Sequence, residues 1–274
     1  MRTAKFVPNE EITPYNYSFV GTFKFTNKMV LNVSNLKEMK RKTFFYATTK
    51  DPEINLNLVS LTIDWSSDII LSERNENRLI KIDKNCSYID GSSFLNALSN
   101  SCGICTNSLN QILVTDAKYN TVLKFNSEFN LVQSVGPSLG KRFGKLNYPW
   151  GITCNLDASD DFIYVCDYKN SRCVRFANNL NPVDCFNLEK EQKPRRVQVK
   201  LNIVFILHKS ESEIFISLFD KSTRSLLRSI KQNETNVKSF FVDDLLNIFT
   251  IGQLNNNDQN QNLCCYNKNN QLIS

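Results

Sequence analysis

Eight cations and two aromatic residues fall within a short span of this chain: Lys141, Arg142, Lys145, Tyr148, Trp150, Lys169, Arg172, Lys193, Arg195 and Arg196. Lysine and arginine neutralise phosphates or carboxylates, and an aromatic ring offers a flat face on which an unpaired base can stack. The combination suits single-stranded RNA, or a protein partner for which the aromatic residues would dominate. Acid–base and metal chemistry have less material. A single histidine, His208, rules out a multi-histidine zinc site, and any histidine-paired nucleophile would rest on it alone. His208 is expected in a turn. No catalytic residue, metal ligand or cofactor is assigned.

Nine cysteines, an odd number, fit a reducing compartment better than a disulfide framework. Cys102-Gly103-Ile104-Cys105 has the two-thiol spacing of zinc and redox sites, but it lacks a second pair or neighbouring histidines, so packing is the better reading. Cys154, Cys166, Cys173 and Cys185 each fall on a separate short apolar stretch. Cys166 and Cys173 are expected to face each other across a hairpin, where a disulfide or metal pair is conceivable but inert packing is favoured.

What must position these groups is a repeated strand-turn-strand phrase. Its clearest copy runs from Phe162 to Phe176, with others at Ile112–Phe125 and Ile69–Ile82 and weaker echoes at Val204–His208 and Leu246–Gly252. The period is about 45 residues, the scale of one four-stranded propeller blade. In the best unit, Trp150–Cys154, Phe162–Cys166, Cys173–Phe176 and Pro182–Phe186 are separated by polar turns, and their lengths suit strands. An apolar run at Lys28–Val33 supplies an earlier copy. The expectation is an all-β, six-bladed propeller of four-stranded antiparallel blades over residues 26–274, with degenerate outer blades. Residues 1–25 would be a lead-in or closing strand, and Asn255–Asn262 a turn inside the last blade. Asp116, Asp167 and Asn170 are taken as turn-stabilising residues, because a carboxylate ending a strand can accept amides of the next turn.

Tyr148-Pro149-Trp150-Gly151-Ile152, then Ile163–Asp167, then Asn170–Phe176 resemble the NHL-repeat family of β-propellers, with a second copy from Cys102 through Asp116 to Phe125. The resemblance covers residues 60 to 186 best. It implies a binding platform like the propeller of tripartite-motif proteins, which recognises RNA or protein and in that family is often joined to a RING ubiquitin ligase and a coiled coil. No cysteine–histidine array or heptad run occurs in this sequence. Some six-bladed propellers of this kind are lactonases or amidating lyases with a metal in the central channel. A calcium-type site of that kind is the alternative function.

Connections between blades share a face with the turns between second and third strands in such a meander. That face would collect the ten residues named at the outset. The opposite face would carry Asp157, Asp160, Asp161, Asp68, Asp243 and Asp244. The net charge of +6 is modest, so its distribution matters more than its total. With no long apolar run and no signal-peptide core, the chain is expected to be soluble, cytoplasmic and monomeric, binding protein or single-stranded RNA, with no DNA or membrane partner.

Overall fold

The computed structural model describes residues 58–74, 77–83, 88–91, 98–136, 140, 142, 144–155, 161–234, 236–253 and 262–267. They form five antiparallel sheets, each a meander of consecutive strands. The first holds β1 (Leu58–Ile63), β2 (Ile69–Glu73), β3 (Arg78–Ile82) and β4 (Tyr88–Gly91). The second holds β5 (Ser101–Thr106), β6 (Ile112–Asp116), β7 (Thr121–Phe125) and β8 (Leu131–Val135). The third holds β9 (Pro149–Cys154), β10 (Ile163–Asp167), β11 (Arg172–Phe176) and β12 (Pro182–Asn187). The fourth holds β13 (Lys193–Lys200), β14 (Ile203–Ser210), β15 (Glu213–Asp220) and β16 (Leu226–Lys231). The fifth has three strands, β17 (Ser239–Val242), β18 (Ile248–Gly252) and β19 (Asn262–Tyr266). This is a β-propeller with five blades among the described residues, where six were expected. The run at Lys28–Val33 assigned to the sixth, the segment 1–25 and most of the asparagine-rich stretch lie outside the described residues.

Packing explains why these short strands assemble. Side chains on the two faces of a strand alternate, so each blade presents an apolar layer to the blade on either side. Ile70 and Leu79 of the first sheet join Ile104, Ile112 and Val114 of the second, and Cys105 and Leu113 of the second join Ile152, Ile163 and Val165 of the third. Tyr164 and Phe186 meet Val204, Ile206 and Phe219, and Phe205 and Ile216 meet Phe240 and Ile248. The core therefore lies between blades. Burying one such side chain contributes about 1.5–3 kcal/mol, which no blade could obtain alone. Outer strands β8 and β16 face solvent.

The first strand of each blade is innermost, and in the first four blades it carries a recurring irregularity. Pairing with the second strand slips between Leu58 and Ser60, between Ser101 and Gly103, between Val165 and Asp167 opposite β9, and between Pro194 and Arg196. Such bulges raise local twist and bend the strand around the axis. Backbones of neighbouring blades meet there: a Cβ on Gly103 would lie 2.7 Å from the Trp150 carbonyl oxygen, and one on Gly151 would lie 2.5 Å from that of Arg195. Glycine is needed at both positions for that approach.

The blade at 193–231, expected to be degenerate, is built of the longest strands, three of eight residues. Its pairing runs unbroken through all eight residue pairs of β14 and β15. The apolar content of Ile203–Ser210 and Glu213–Asp220 suffices for the sheet without the acidic closing residue. His208, expected in a turn, lies inside β14 and is buried. Among the described residues no helix is long and apolar enough to cross a membrane.

Candidate nucleic-acid interface

Asp116 and Asp167 set the end of the ring on which the predicted cations were placed. Asp116 accepts the amides of Lys118 (2.9 Å) and Tyr119 (2.8 Å) from its own hairpin and that of Asn100 (2.8 Å) from the incoming connection. Asp167 accepts the Asn147 amide (2.7 Å), the Asn170 side-chain amide (2.8 Å) and the Arg172 Nε (2.8 Å). Each carboxylate thus ties a second-to-third-strand hairpin to the connection entering the blade. Backbone bonds confirm the shared face: the Lys169 amide donates to the Asn147 carbonyl, and the Leu188 amide to that of Ser171, both at 3.0 Å.

On this end three rings cluster at the seam of the third and fourth blades. Trp150 and Tyr168 have centroids 5.0 Å apart, and Tyr148 lies 5.8 Å from each. Tyr148 is held in the left-handed region (φ 61°), its amide donating to Asn120 Oδ1 of the second blade's hairpin at 2.7 Å. Lys169 Nζ sits 4.8 Å above the Tyr148 ring, and the Arg195 guanidinium 5.9 Å from that of Trp150. Both are within cation–π range. Next to them, Lys118 lies 5.7 Å over the exposed Tyr119 ring. Lys238, from the connection into the fifth blade, was not anticipated. Burial and the charge of Arg195 lower its pKa, a sign of two cations brought close together.

The ten expected residues divide. Tyr148, Trp150, Lys169 and Arg195 form the cluster. Arg142 is exposed and Lys145 half-buried in the connection alongside it. Lys193 lies 3.3 Å from Glu191, which offsets its charge. Lys141 lies outside the described residues, as do Asp157 and Asp160. Arg172 is a correction: it is buried, paired with Asp167, and donates to the Lys145 carbonyl at 2.8 Å, so it braces the connection from beneath. Arg196 is a second correction. It belongs to β13, where Gly103 and Gly151 stand in other blades, and lines the central channel with Ser60, Ile152, Gln198 and Ser239. Its Nη1 comes within 3.5 Å of the Cys102 carbonyl, two blades away. The cavity these residues line is about 40 Å³, enough for a few waters.

Several buried polar groups elsewhere bond within the fold. His208 Nε2 meets Ser217 Oγ at 2.8 Å, which meets Ser229 Oγ at 2.6 Å, and the imidazole stacks on Phe215. Burial lowers its pKa to about 4, so the ring is neutral at pH 7. Cys166 and Cys173 are cross-strand partners, as expected, and both are buried free thiols. Cys102 and Cys105 have separate neighbours: Cys102 lies 3.8 Å from Arg74, while Cys105 Sγ lies 3.2 Å from Cys154 Sγ of the third blade. Among the described residues no group of three or more His, Cys, Asp or Glu residues is arranged to hold a metal ion.

No family model matches the sequence, and comparison with curated proteins returns no relative. The NHL likeness therefore stands on its motif residues. Solved structures share the fold. Kuenenia stuttgartiensis hydrazine synthase aligns at a TM-score of 0.62 and 11% identity, over 76% of this chain and 62% of that one, less than two thirds of its length. Virginiamycin B lyase from Staphylococcus aureus aligns at 0.61 and 15% identity, over 83% of this chain and 71% of the other. A histidine-to-alanine form of that lyase, described as catalytically inactive, aligns equally well. The WD40 domain of Neurospora crassa Pan2 aligns at 0.60 and 6% identity, over 79% and 64%. At these identities the likeness concerns the β-propeller fold, which is found in both enzymes and binding domains.

Proposed function

We propose that this chain is a non-catalytic binding platform that takes single-stranded RNA along the seam between the third and fourth blades. One observation carries the reading: Tyr148, Trp150 and Tyr168 form one cluster, Lys169 and Arg195 lie over its rings, and Lys238 is close enough to Arg195 to feel its charge, on the end where hairpins and blade connections converge. Cations that already lie on rings can turn toward phosphates while bases stack on the vacated faces. The resemblance of this segment to NHL repeats supports the same reading, as does the set of free thiols, which suits a reducing compartment such as the cytoplasm.

A channel-centred hydrolase or lyase has less support. Arg196 reaches across the channel, and the one histidine is enclosed in the fourth blade against Ser217 and Phe215. The Staphylococcus aureus lyase is inactive once a histidine is replaced by alanine, whereas the one histidine of this chain is buried. The reading is tested by ultraviolet crosslinking of a mixed-sequence single-stranded RNA to the full chain and mapping of the linked residues. Crosslinks at Tyr148, Trp150 or Tyr168 are expected. Crosslinks confined to other blades, or none, would overturn it.

A further inference from the structure

At the opposite end of the ring, the turns joining first to second strands present large apolar side chains to solvent. Trp65 is 52% exposed in the first blade, Leu109 65% in the second, Leu201 62% in the fourth and Leu245 53% in the fifth. These turns lie nearest the axis, because they leave the innermost strands. Adjacent ones are tied together. The Trp65 amide donates to Asn110 Oδ1 at 3.0 Å and its indole Nε1 to the Asn107 carbonyl at 3.3 Å, while Lys200, beside Leu201, pairs with Asp244, beside Leu245. The result is two apolar pairs, one spanning the first and second blades and the other the fourth and fifth.

The backbone holds these side chains in place. Asn107 Oδ1 accepts the amides of Leu109 (3.1 Å) and Gln111 (2.8 Å), and Asp243 Oδ1 those of Leu245 (2.9 Å) and Asn247 (2.8 Å). Asp64 does the same for Ser66 and Asp68. Such turns fix an exposed anchor before any partner arrives, which lowers the ordering cost of binding.

Leu201 is the most telling of the four. Lys200 pairs with Ile203, so Leu201 and Asn202 form a two-residue hairpin loop, and Leu201 has φ 52° while Asn202 is not among the positive-φ residues. The first position of such a loop favours glycine. Phe129 and Leu180 also adopt left-handed backbone (φ 61° and 59°), but both are buried. Leu201 has no such compensation. The same backbone at the first position of a two-residue loop is occupied by a glutamate in the next hairpin of the blade, Glu211 (φ 50°), so turn geometry does not call for the leucine, and core packing does not either.

The surrounding charge selects the partner. The turns carry Asp64, Asp68, Asp161, Asp243 and Asp244, with Lys81 shared by Asp64 (2.7 Å) and Asp68 (3.2 Å) and Lys200 held by Asp244. Within these turns carboxylates exceed ammonium groups, and beside the Leu201–Asn202 loop Asp220 stands next to Lys221. We infer that this end of the propeller docks a short peptide segment that places apolar side chains against Leu201, Leu245, Trp65 and Leu109 and sets lysine or arginine beside the aspartates. The site is separate from the RNA seam and does not depend on it.

The experiment is selection of a phage-displayed random peptide library on the full chain, followed by titration of the enriched synthetic peptide. The chain has two tryptophans, one at each end, so Trp150→Phe leaves Trp65 fluorescence as the reporter of this surface. Enriched sequences should combine apolar and basic residues, and Leu201→Gly should weaken binding about tenfold with a melting temperature unchanged or raised. Leu109→Asn should weaken it by a similar factor without touching that strained turn. No enrichment over the bare support, acidic enriched sequences, or binding indifferent to both substitutions would overturn the proposal. Concentration-dependent self-association in sedimentation that Leu201→Gly abolishes would also overturn it, in favour of a second copy of this chain.

Discussion

Asp167 in the third blade and His208 in the fourth stand at the same place, on the second strand opposite the bulge of the first. Asp167 binds the incoming connection, its own hairpin and Arg172 together. His208 reaches none of these and turns instead to Ser217 on the next strand. Both sheets are nonetheless well formed, so the strand pairing and interblade apolar layers make the blade, whereas the carboxylate orders the loops at one end. The fifth blade offers a third arrangement. There the acid is Glu234 of the connection, buried and bonded to Thr250 and, at 2.9 Å, to the Tyr266 hydroxyl. The carboxylate-ordered blade is also the one that presents the aromatic cluster, because Asp167 fixes both Asn147, which precedes Tyr148, and the hairpin bearing Tyr168 and Lys169.

Removing the carboxylate should separate those two positions most sharply. Asp167→Ala leaves the buried Arg172 guanidinium without its carboxylate and the Asn147 amide without an acceptor, a loss of about 3–5 kcal/mol. Chemical denaturation should register it. A change no larger than that of an exposed substitution would mean the carboxylate is not what holds the connection.

At His208 the expected effect is smaller and depends on pH. Burial holds its pKa at about 4 in the folded chain, against about 6.5 when unfolded. Between these values the unfolded chain takes up a proton that the folded chain refuses. Its contribution is therefore fully present above pH about 6.5 and is lost as pH falls toward 4, by at most about 3 kcal/mol. Burial pushes the Asp167 carboxyl the other way, upward from its usual value, with Asn170, Asn147 and Arg172 opposing that shift. His208→Gln should flatten the acid limb of the stability profile measured by thermal unfolding between pH 7 and 4. An unaltered limb would show that the imidazole is not what titrates.

Much of the architecture was legible because it depends on local pattern. The four apolar stretches of the third blade became β9 to β12 with no bound shifted by more than one residue, and strand parity placed hairpins and connections on one end. The site was legible only as a neighbourhood. Arg172 and Arg196 look like loop cations in sequence, but one is drawn inward by Asp167 across the hairpin and the other lies in β13, where the strand begins as early as Lys193. The pairing of Asp167 with Arg172 had a sequence signal, since residues flanking a tight hairpin face each other. Lys238 had none, because nothing local reports that the connection into the fifth blade folds back on Arg195. Exposure of Leu109 and Leu201 was equally invisible, since apolar residues beside a turn are as often buried as not, as Phe129 and Leu180 are.

In the proposed function the seam of the third and fourth blades binds a polyanion through its cations and rings. The most direct test is the affinity of the full chain for a single-stranded RNA, measured across a salt series, beside Lys169→Glu and Arg195→Glu. Both residues lie outside the core, so their melting temperatures should stay near that of the parent, within about 0.5 kcal/mol of stability. The account predicts affinity that falls steeply with salt, with the slope reduced by about one for each phosphate contact removed. Binding that ignores salt and both charge reversals, or no binding at low salt, would contradict it.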